Sequence, residues 1–211
     1  MAVIEFRNTH LSFNGKSVIR NLSLNIDKGD KVVVSGKSGS GKSSLLSLVL
    51  GFIQPDSGQV LFDNIPVDER SVWDVRKRVA CIDQDVSLGT GTVHGLLAFV
   101  SSLKANSHHS FVPDKLMALL ELEDDLLHKD IKDLSGGERQ RMAIVIAVLL
   151  GRDVFFLDEV TASLDKHLKK KVAGYFTGRE DWTCVIVSHD PVWLDNSVVR
   201  VFDFEEKVWK H

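Results

Sequence analysis

The segment Gly36–Ser43 constrains the fold of this chain more than any other stretch. It has the sequence GKSGSGKS and matches the phosphate-loop pattern G-x-x-x-x-G-K-[ST]. The apolar run Lys31–Ser35 predicts a buried strand before it, and Ser44–Leu50 predicts a helix after it. In that context successive backbone N–H groups point at phosphate oxygens beside the positive end of the helix dipole. The segment therefore predicts a nucleoside triphosphate site, and its flanks disfavour a plain glycine–serine turn.

The residues of this loop have expected parts in holding the nucleotide. We expect Lys42 to contact the β- and γ-phosphates and the Ser43 hydroxyl to bind Mg²⁺. The glycines allow the backbone to curl around the phosphates. The loop alone does not say what the nucleotide is used for. The expected nucleotide-binding residues here are Gly36, Lys37, Ser38, Gly39, Ser40, Gly41, Lys42, Ser43 and Ser44.

Composition and charge narrow the class of protein. The chain has 211 residues, enough for one sizeable domain, and 44% of them are hydrophobic and 26% charged, as in ordinary globular proteins. A net charge of -3 argues against a dedicated nucleic-acid binder, so no nucleic-acid partner is expected. Cys81 and Cys184 lie in apolar, strand-like runs and are expected to be buried thiols rather than a disulfide.

The sequence shows no signal for secretion or for a membrane span. The longest apolar run, Met142–Leu150, is too short to cross a bilayer, and no basic region followed by an apolar core stands at the N-terminus. We therefore expect a cytoplasmic protein. If it works at a membrane, another chain must supply the spanning helices.

Strand signals dominate the first part of the chain. Residues 2–35 are expected to form β structure, with strands near Val3–Phe6, Leu22–Ile26 and Lys31–Ser35. A further short strand is expected over Gln59–Asp63, after a cluster of turn-forming residues.

A change in composition marks the middle of the chain. From about residue 91 to 131, leucines and acidic residues recur at spacings typical of amphipathic helices, which indicates a helical lobe inserted between strands. His108 and His109 lie in a polar loop within it. Because no cysteine or carboxylate stands at ligand spacing, a solvated loop is favoured there over a metal site.

Polar side chains follow three predicted buried strands, where catalytic groups of parallel sheets tend to lie. Asp158 and Glu159 end one of these strands. Asp158 is expected to hold Mg²⁺, and Glu159 to orient or deprotonate the attacking water. Since side chains alternate along a strand, Glu159 is expected to point in another direction from Asp158. Gln84 is either a metal ligand that senses the γ-phosphate or an ordinary polar strand end. His189 can donate a hydrogen bond to a γ-phosphate oxygen.

Two further features each have a functional and a structural interpretation. The segment Leu134–Arg141, LSGGERQR, opens a predicted helix, and the pair Gly136 and Gly137 leaves backbone N–H groups free to meet an anion. The alternative is a flexible turn at the helix start. Phe13 lies in the first turn region, where it either stacks on a nucleotide base or fills the core.

Taken together, the motifs resemble those of the ATPase subunit of ABC (ATP-binding cassette) transporters. Four ordered motifs carry the resemblance: GKSGSGKS at 36–43, Gln84, LSGGERQR at 134–141, and FFLDE at 155–159 followed by SLD and His189. The signature segment, LSGGERQR at Leu134–Arg141, is the most diagnostic, because other phosphate-loop families do not carry it. The resemblance covers the chain from end to end.

The resemblance implies an α/β fold: a phosphate-loop NTPase core with a mostly parallel sheet flanked by helices, an N-terminal antiparallel β subdomain, and an inserted helical subdomain. The corresponding division is 1–35 for the β subdomain, 36–90 and 150–211 for the core, and 91–149 for the helical subdomain. The implied activity is hydrolysis of ATP with Mg²⁺. The implied catalytic residues are Glu159, His189, Lys42 and Gln84, and the implied metal ligands are Ser43, Gln84 and Asp158.

The resemblance also implies partners. Two copies of the chain would pair head to tail and sandwich two ATP molecules, with Ser135, Gly136 and Gly137 of one copy facing the nucleotide of the other. Phe13 would stack on adenine. Separate transmembrane permease subunits would bind near Asp85–Val100, which would place the protein on the inner face of the cell membrane.

Three positions depart from the family pattern. Val160 stands where many members have Pro or Ala after the glutamate, Ile146 replaces an Arg in the signature helix, and Phe13 stands where Tyr is frequent. None of them is expected to touch a phosphate or the metal, so activity should survive. Ile146 puts in doubt any salt bridge between helix and core taken from relatives.

Other classes of function are disfavoured. ABC ATPases that act on DNA or ribosomes carry long coiled coils, zinc modules or a second cassette, and none is present in the sequence. A GTPase should show an N-K-x-D motif, which is absent, and a kinase would leave LSGGERQR unexplained. The sequence names neither the cargo nor the direction of transport.

Overall fold

Two β-sheets organise the chain in the computed structural model, which describes residues 1–37, 39–103 and 113–210. The first sheet has four antiparallel strands in the order β2-β1-β4-β5. Asn14 and Gly15 both have positive φ. Two such residues form the turn that favours a tight hairpin, here between β1 and β2. Ser38, His108 and His109 lie outside the described residues. The strands are β1 (Ala2–Phe13), β2 (Lys16–Asp27), β4 (Ser57–Phe62) and β5 (Ile65–Pro66).

The second sheet has six strands in the order β10-β9-β3-β8-β7-β6. Five of them run parallel, and β10 pairs antiparallel with β9 at one edge. The carboxyl ends of the parallel strands therefore meet along one edge of this sheet, where the phosphate loop begins. Its strands are β3 (Lys31–Ser35), β6 (Val79–Ile82), β7 (Val154–Asp158), β8 (Thr183–Val187), β9 (Arg200–Asp203) and β10 (Val208–Lys210).

Helices cover the six-stranded sheet, and several begin with a capping side chain. Ser135 and Glu138 form a reciprocal capping box at the start of α5, and the Asp165 carboxylate accepts hydrogen bonds from the first backbone N–H groups of α6. Short 3₁₀ turns over Asp124–His128 and Ile131–Asp133 lead into α5. The helices are α1 (Lys42–Val49), α2 (Val72–Arg78), α3 (Val93–Ser102), α4 (Pro113–Leu119), α5 (Gly136–Leu149), α6 (Lys166–Thr177) and α7 (Pro191–Leu194).

The six-stranded sheet separates two hydrophobic cores. Val33 packs into the core shared with Met142 of α5 and Phe176 of α6. Its neighbours Val32 and Val34 pack into the other core, formed with α1 and the antiparallel sheet. Because successive side chains of a strand face opposite sides, an unbroken apolar run is what a strand covered on both faces needs.

The sheet membership differs from the expected division at two points. The strand Lys31–Ser35 belongs to the parallel sheet, so the N-terminal β segment ends at Asp27 rather than at residue 35. The strands Ser57–Phe62 and Ile65–Pro66, expected within the core segment 36–90, join the antiparallel sheet because β4 pairs with β1. Such pairing joins residues distant in sequence, and local patterns do not reveal it.

Smaller differences concern element ends. Strands β1 and β2 each have twelve residues and extend well beyond Val3–Phe6 and Leu22–Ile26. Strand β6 ends at Ile82, so Gln84 follows it in irregular structure instead of closing it. Helix α1 begins at Lys42, two residues before the expected start.

Two further expectations concern cysteines and membrane spans. Cys184 is buried and Cys81 partly buried, and both are free thiols. Burial raises the pKa of the Cys184 thiol to about 12. In the part of the chain that the structure describes, no helix has the length and apolar character needed to cross a bilayer.

Candidate nucleotide-binding site

A cleft of about 510 Å³ lies at the carboxyl edge of the six-stranded sheet, where ligands of such sheets bind. It brings together expected residues from five separate segments of the chain. The phosphate loop, the hairpin end of β1, and the segments that follow β6, β7 and β8 all contribute to it. Its lining residues are Phe13, Val18, Gly39, Gly41, Lys42, Ser43, Ser44, Gln84, Asp158, Glu159, Ala162, Val187 and His189.

The phosphate loop has a backbone that only glycine accommodates at its end. Gly41 has φ 105, and a Cβ there would lie 2.3 Å from Val18 Cγ1. The loop therefore packs directly on β2 at the point where α1 begins. The Ser40 hydroxyl is buried without a hydrogen-bond partner within the described residues. An unpaired buried polar atom costs free energy, so it marks a place where a ligand oxygen would be stabilised.

Lys42 is held against its own loop. Its ammonium donates to the carbonyl oxygens of Gly36 at 2.6 Å and Lys37 at 2.7 Å, and the residue is only 7% exposed. An ammonium has three N–H donors, so one remains for an anion in the cleft. The side chain is thus a buried positive charge positioned by backbone carbonyls at the start of α1.

Ser43 and Asp158 supply oxygens that suit Mg²⁺. The Ser43 hydroxyl donates to Asp158 Oδ2 at 2.8 Å. Adjacent ligands of an octahedral Mg²⁺ are separated by about 2.9 Å, given metal–oxygen distances of roughly 2.0–2.1 Å. No group of three or more His, Cys, Asp or Glu side chains able to hold a metal occurs among the described residues. A hydroxyl, one carboxylate and the Gln84 amide, completed by phosphate and water, fit the sparse protein ligation of Mg²⁺.

Glu159 reaches the same cleft by a backbone turn. Strand β7 ends at Asp158, and Glu159 has φ 48, in the left-handed region that is uncommon for a residue other than glycine. Its N–H donates to the Val187 carbonyl at 2.9 Å. Strand alternation therefore ends one residue earlier than expected, and this turn sets the direction of the Glu159 side chain. Both carboxylates line one cleft.

Gln84, His189 and Phe13 complete the lining of the cleft. Gln84 and His189 are exposed, and their side chains make no hydrogen bond to another described residue. They are thus free to contact a ligand. Phe13 is 46% exposed at the end of β1, which excludes the alternative that it fills the core.

The signature segment lies elsewhere. Ser135, Gly136 and Gly137 are not among the residues that line the cleft. Ser135 and Gly136 are exposed. A Cβ added at Gly136 or at Gly137 would meet no atom of a described residue within 4 Å. The N–H groups of both glycines make no hydrogen bond within the described residues. The start of α5 therefore presents free donors to solvent rather than to the site of its own chain.

A charged pair stabilises this helix start. Glu138 accepts from the Ser135 N–H at 2.8 Å and from the Lys129 ammonium at 2.9 Å. The Lys129 ammonium and the Ser135 hydrogen bonds lower the pKa of Glu138 to about 2. Because the Ser135 hydroxyl accepts from the Glu138 N–H, its own proton stays available to a ligand.

The departures from the family pattern have structural consequences. Ile146 packs against the hydrophobic core. At this position the chain therefore has apolar packing instead of a charged side chain that could form a salt bridge between helix and core. Val160 is fully buried, and its carbonyl accepts a hydrogen bond from the Gln140 side chain at 3.2 Å. That bond joins the signature helix to the segment after Glu159.

Four residues at the cleft were not predicted from the sequence. Val18, Ala162 and Val187 line the cleft, but small apolar residues in a strand or turn carry no chemical signal. Ser188 donates to Glu159 Oε2 at 3.2 Å. Ser188 could have been identified from the sequence, because it is a polar residue between the apolar strand and His189.

Comparisons with known proteins show the family of the chain. The family model described as ABC transporter matches residues 19–162. An energy-coupling factor transporter ATP-binding protein, EcfA1 of Oceanobacillus iheyensis, is 30% identical over 89% of the chain and 70% of its own length. An ATP-dependent lipid A-core flippase of Alcanivorax borkumensis is 32% identical over 88% of the chain. The chain spans about a third of the length of the flippases it matches.

Solved structures share the fold. A bacterial Atm1-family ABC exporter with ATP bound superposes with a TM-score of 0.81 over 95% of this chain and 36% of that one, at 21% identity. The protein cbiO1 of Clostridium perfringens, part of the ABC transporter complex cbiONQ, gives a TM-score of 0.78 over 100% of this chain and 87% of that one, at 23% identity. The members of the matched family are ATPases that power transport. The chain belongs to the ABC transporter family and has the fold of that family's ATP-binding domains.

Proposed function

We propose that the chain is the ATP-hydrolysing subunit of an ABC transporter and drives substrate movement through separate transmembrane subunits. The observation that carries the proposal is the convergence of Lys42, Ser43, Asp158, Glu159 and His189 on one cleft. Phosphoryl transfer to water requires a positive charge near the phosphates, ligands for the metal, a carboxylate that can act as base, and a group that donates a hydrogen bond to the γ-phosphate. These five side chains can supply those groups.

The proposed chemistry uses each side chain once. Lys42 and the loop N–H groups stabilise negative charge on the phosphates as it develops. Glu159 accepts a proton from water, whose oxygen attacks the γ-phosphorus while the bond to the β–γ bridging oxygen breaks. His189 donates a hydrogen bond to a γ-phosphate oxygen. Ser43, Asp158 and Gln84 would hold Mg²⁺, whose positive charge would offset the negative charge of the phosphates.

Adenine is the proposed base, and Phe13 its stacking partner. The ring is exposed at the hairpin end of β1 and lines the same cleft as the phosphate loop. An aromatic ring binds a base by stacking on its face, without hydrogen bonds to the donors and acceptors of the base. The remaining loop residues, Gly36, Lys37, Ser38, Ser40 and Ser44, are proposed to surround the phosphates.

A head-to-tail homodimer is proposed because the signature segment lies outside the cleft. Ser135, Gly136 and Gly137 hold free N–H and hydroxyl donors at the positive end of α5, which is a site for an anion. In the proposed dimer they contact the γ-phosphate bound by the other copy. Closure on ATP and opening after hydrolysis would then supply the motion. Residues 91–149, with α3 to α5, would form the helical subdomain that carries these donors.

The permease is proposed to be a separate chain. Two similar proteins support this proposal: one is named an energy-coupling factor transporter ATP-binding protein, and the other is described as part of the ABC transporter complex cbiONQ. Permease subunits would bind near Asp85–Val100 and hold the protein on the cytoplasmic face of the membrane. Phe99, 63% exposed on α3, is an apolar side chain available for that contact.

The test is ATP hydrolysis by the purified chain and its Glu159→Gln variant. The variant should bind ATP with unchanged affinity, lose hydrolysis by at least about 100-fold, and accumulate as an ATP-bound dimer on size-exclusion chromatography. Glu69→Gln, at an exposed position away from the cleft, is the matched control and should behave as wild type. Wild-type turnover in Glu159→Gln would remove Glu159 as the base. Co-purification with a ribosome or DNA instead of a membrane protein would contradict the transport role.

A further inference from the structure

Ser188 lies behind the cleft and contacts the carboxylate that the proposed function makes the base. We propose that Ser188 is the positioning residue for Glu159 and that its hydroxyl holds the carboxylate toward the attacking water. The inference rests on the proposed ATPase function and names one more residue on which that function depends.

The direction of the hydrogen bond is set by the neighbours of Ser188. The residue is fully buried directly after β8, and its hydroxyl oxygen accepts from the Asp190 N–H at 3.2 Å. A hydroxyl has a single proton, and its other close partner is Glu159 Oε2 at 3.2 Å. A carboxylate only accepts hydrogen bonds, so the Ser188 proton points to Glu159.

Glu159 is thereby held at two points. Its backbone N–H extends the β7–β8 ladder by one bond to the Val187 carbonyl, and its side chain meets the hydroxyl of the next residue, Ser188. The left-handed backbone at Glu159 persists only if the surroundings hold it. The backbone hydrogen bond fixes the position of the Glu159 main chain, and the Ser188 hydroxyl fixes the position of the carboxylate.

The residues behind Ser188 hold its other partner in place. The Asp190 carboxylate forms an ion pair with Lys169 at 2.7 Å, and it accepts from Val192 N–H at 3.1 Å and from the Thr161 hydroxyl at 3.4 Å. Thr161 in turn accepts from the Trp193 indole N–H at 3.1 Å, and both residues are fully buried. The Asp190 N–H is therefore anchored to α6 and α7, and it orients the serine.

This arrangement leaves one carboxylate oxygen for chemistry. Glu159 Oε2 accepts from Ser188, whereas Oε1 makes no hydrogen bond to a described residue. Oε1 can then accept the proton of a water in the cleft. Loss of the serine would allow the carboxylate to rotate, and misplacement of a catalytic group by about 1 Å can reduce a rate by roughly 100-fold.

The first test compares three substitutions at position 188. Ser188→Ala should lower kcat by about 10- to 100-fold while the KM for ATP and the Kd for ADP stay within about twofold. Ser188→Cys, which keeps a side chain of similar size but donates weakly, should lose kcat similarly. Ser188→Thr keeps the hydroxyl and should recover most of kcat. Ser197→Ala, at an exposed position, is the control. Wild-type kcat in Ser188→Ala and Ser188→Cys would overturn the proposal.

The second test separates positioning from general folding. In a Glu159→Gln background, Ser188→Ala should change residual single-turnover hydrolysis by less than about twofold, because the base it positions is absent. An equal loss in both backgrounds would show that Ser188 acts through the fold, and the proposal would be wrong. Wild-type protein without ATPase activity would refute the proposed function itself, an outcome distinct from an active wild type with an unaffected Ser188→Ala.

Discussion

The hydroxyl of Ser43 donates a 2.8 Å hydrogen bond to Asp158, which lies 115 positions further along the chain. Ser43 stands in the first turn of α1 and Asp158 at the end of β7, and β8 lies between β7 and β3 in the sheet. The contact thus crosses a strand at the carboxyl edge of the sheet. It joins the phosphate loop to the two carboxylates.

Loss of the Ser43 hydroxyl or of the Asp158 carboxylate charge should weaken Mg²⁺ binding. We expect Ser43→Ala and Asp158→Asn each to raise the Mg²⁺ concentration for half-maximal hydrolysis by at least about tenfold. Nucleotide affinity measured with EDTA should change little, since Lys42 and the loop N–H groups remain. Ser47→Ala, one helical turn further along α1, is the control and should leave the Mg²⁺ dependence unchanged. Identical Mg²⁺ curves for Ser43→Ala and wild type would contradict the assignment.

The contact of Gly41 with Val18 predicts that the phosphate loop tolerates no side chain at its end. Gly41→Ala should cost about 1–3 kcal/mol in ATP binding, because the new Cβ meets Val18 Cγ1 and φ 105 is strained for alanine. Gly39 also has positive φ, 74, but no described residue lies within 4 Å of a Cβ added there, so Gly39→Ala should cost less.

The same contact offers a suppressor. Val18→Ala removes the clashing methyl, so Gly41→Ala combined with Val18→Ala should bind ATP more tightly than Gly41→Ala alone. Affinities by isothermal titration calorimetry are the measurement. Equal costs for Gly39→Ala and Gly41→Ala would show that strain alone, rather than the clash, limits the loop.

The position of Ser135 outside the cleft predicts an effect on pairs of chains. Ser135→Arg should leave ATP binding to the monomer unchanged, abolish the ATP-bound dimer, and reduce the Hill coefficient of hydrolysis to about 1. Ser135→Asn retains a capping side chain at the start of α5 and is the matched control for loss of the cap. Cooperative hydrolysis by Ser135→Arg would mean that the proposed head-to-tail dimer is wrong.

The Lys129–Glu138 pair predicts a pH-dependent part of stability. The pKa of Glu138 is lowered from its usual 4.5 to about 2, so the stabilisation it provides is complete above 4.5 and is lost as pH falls from 4.5 toward 2. Glu138→Gln should therefore have a lower Tm than wild type at pH 7, and the difference should shrink near pH 3. The pair is partly exposed, so the effect should be small and weaker in high salt.

Thermal melts of both proteins at low and high ionic strength are the measurement. Glu69→Gln is the control, because Glu69 is exposed and forms no ion pair within the described residues. A constant Tm difference across this pH range would show that the Glu138 charge contributes nothing.

Local patterns predicted much of the cleft lining. Lys42 and Ser43 line the cleft because a phosphate loop depends on contiguous residues between one strand and one helix. Asp158, Glu159 and His189 line it because parallel strands deliver their carboxyl ends to a common edge. Each of these inferences uses neighbours in sequence.

Other features depend on contacts that no local pattern contains. The pairing of β4 with β1 brings Ile4 beside Phe62. It places β4 in the antiparallel sheet, although the sequence predicted that residues 36–90 belong to the phosphate-loop core. The left-handed turn at Glu159 breaks the alternation expected of a strand end, and it requires the Val187 carbonyl from β8. Ser188 contacts Glu159 only because β7 and β8 are neighbours.

The sequence was enough to predict the family, the fold class and the members of the phosphate-loop motif, because short-range order of glycine, lysine, serine and apolar strands specifies a phosphate loop. The direction in which Glu159 turns, its hydrogen bond with Ser188, and the position of the start of α5 away from its own chain's cleft depend on tertiary contacts. The reason is physical: backbone geometry and the chemistry of single residues act over a few positions, whereas strand pairing and burial join positions far apart in the chain.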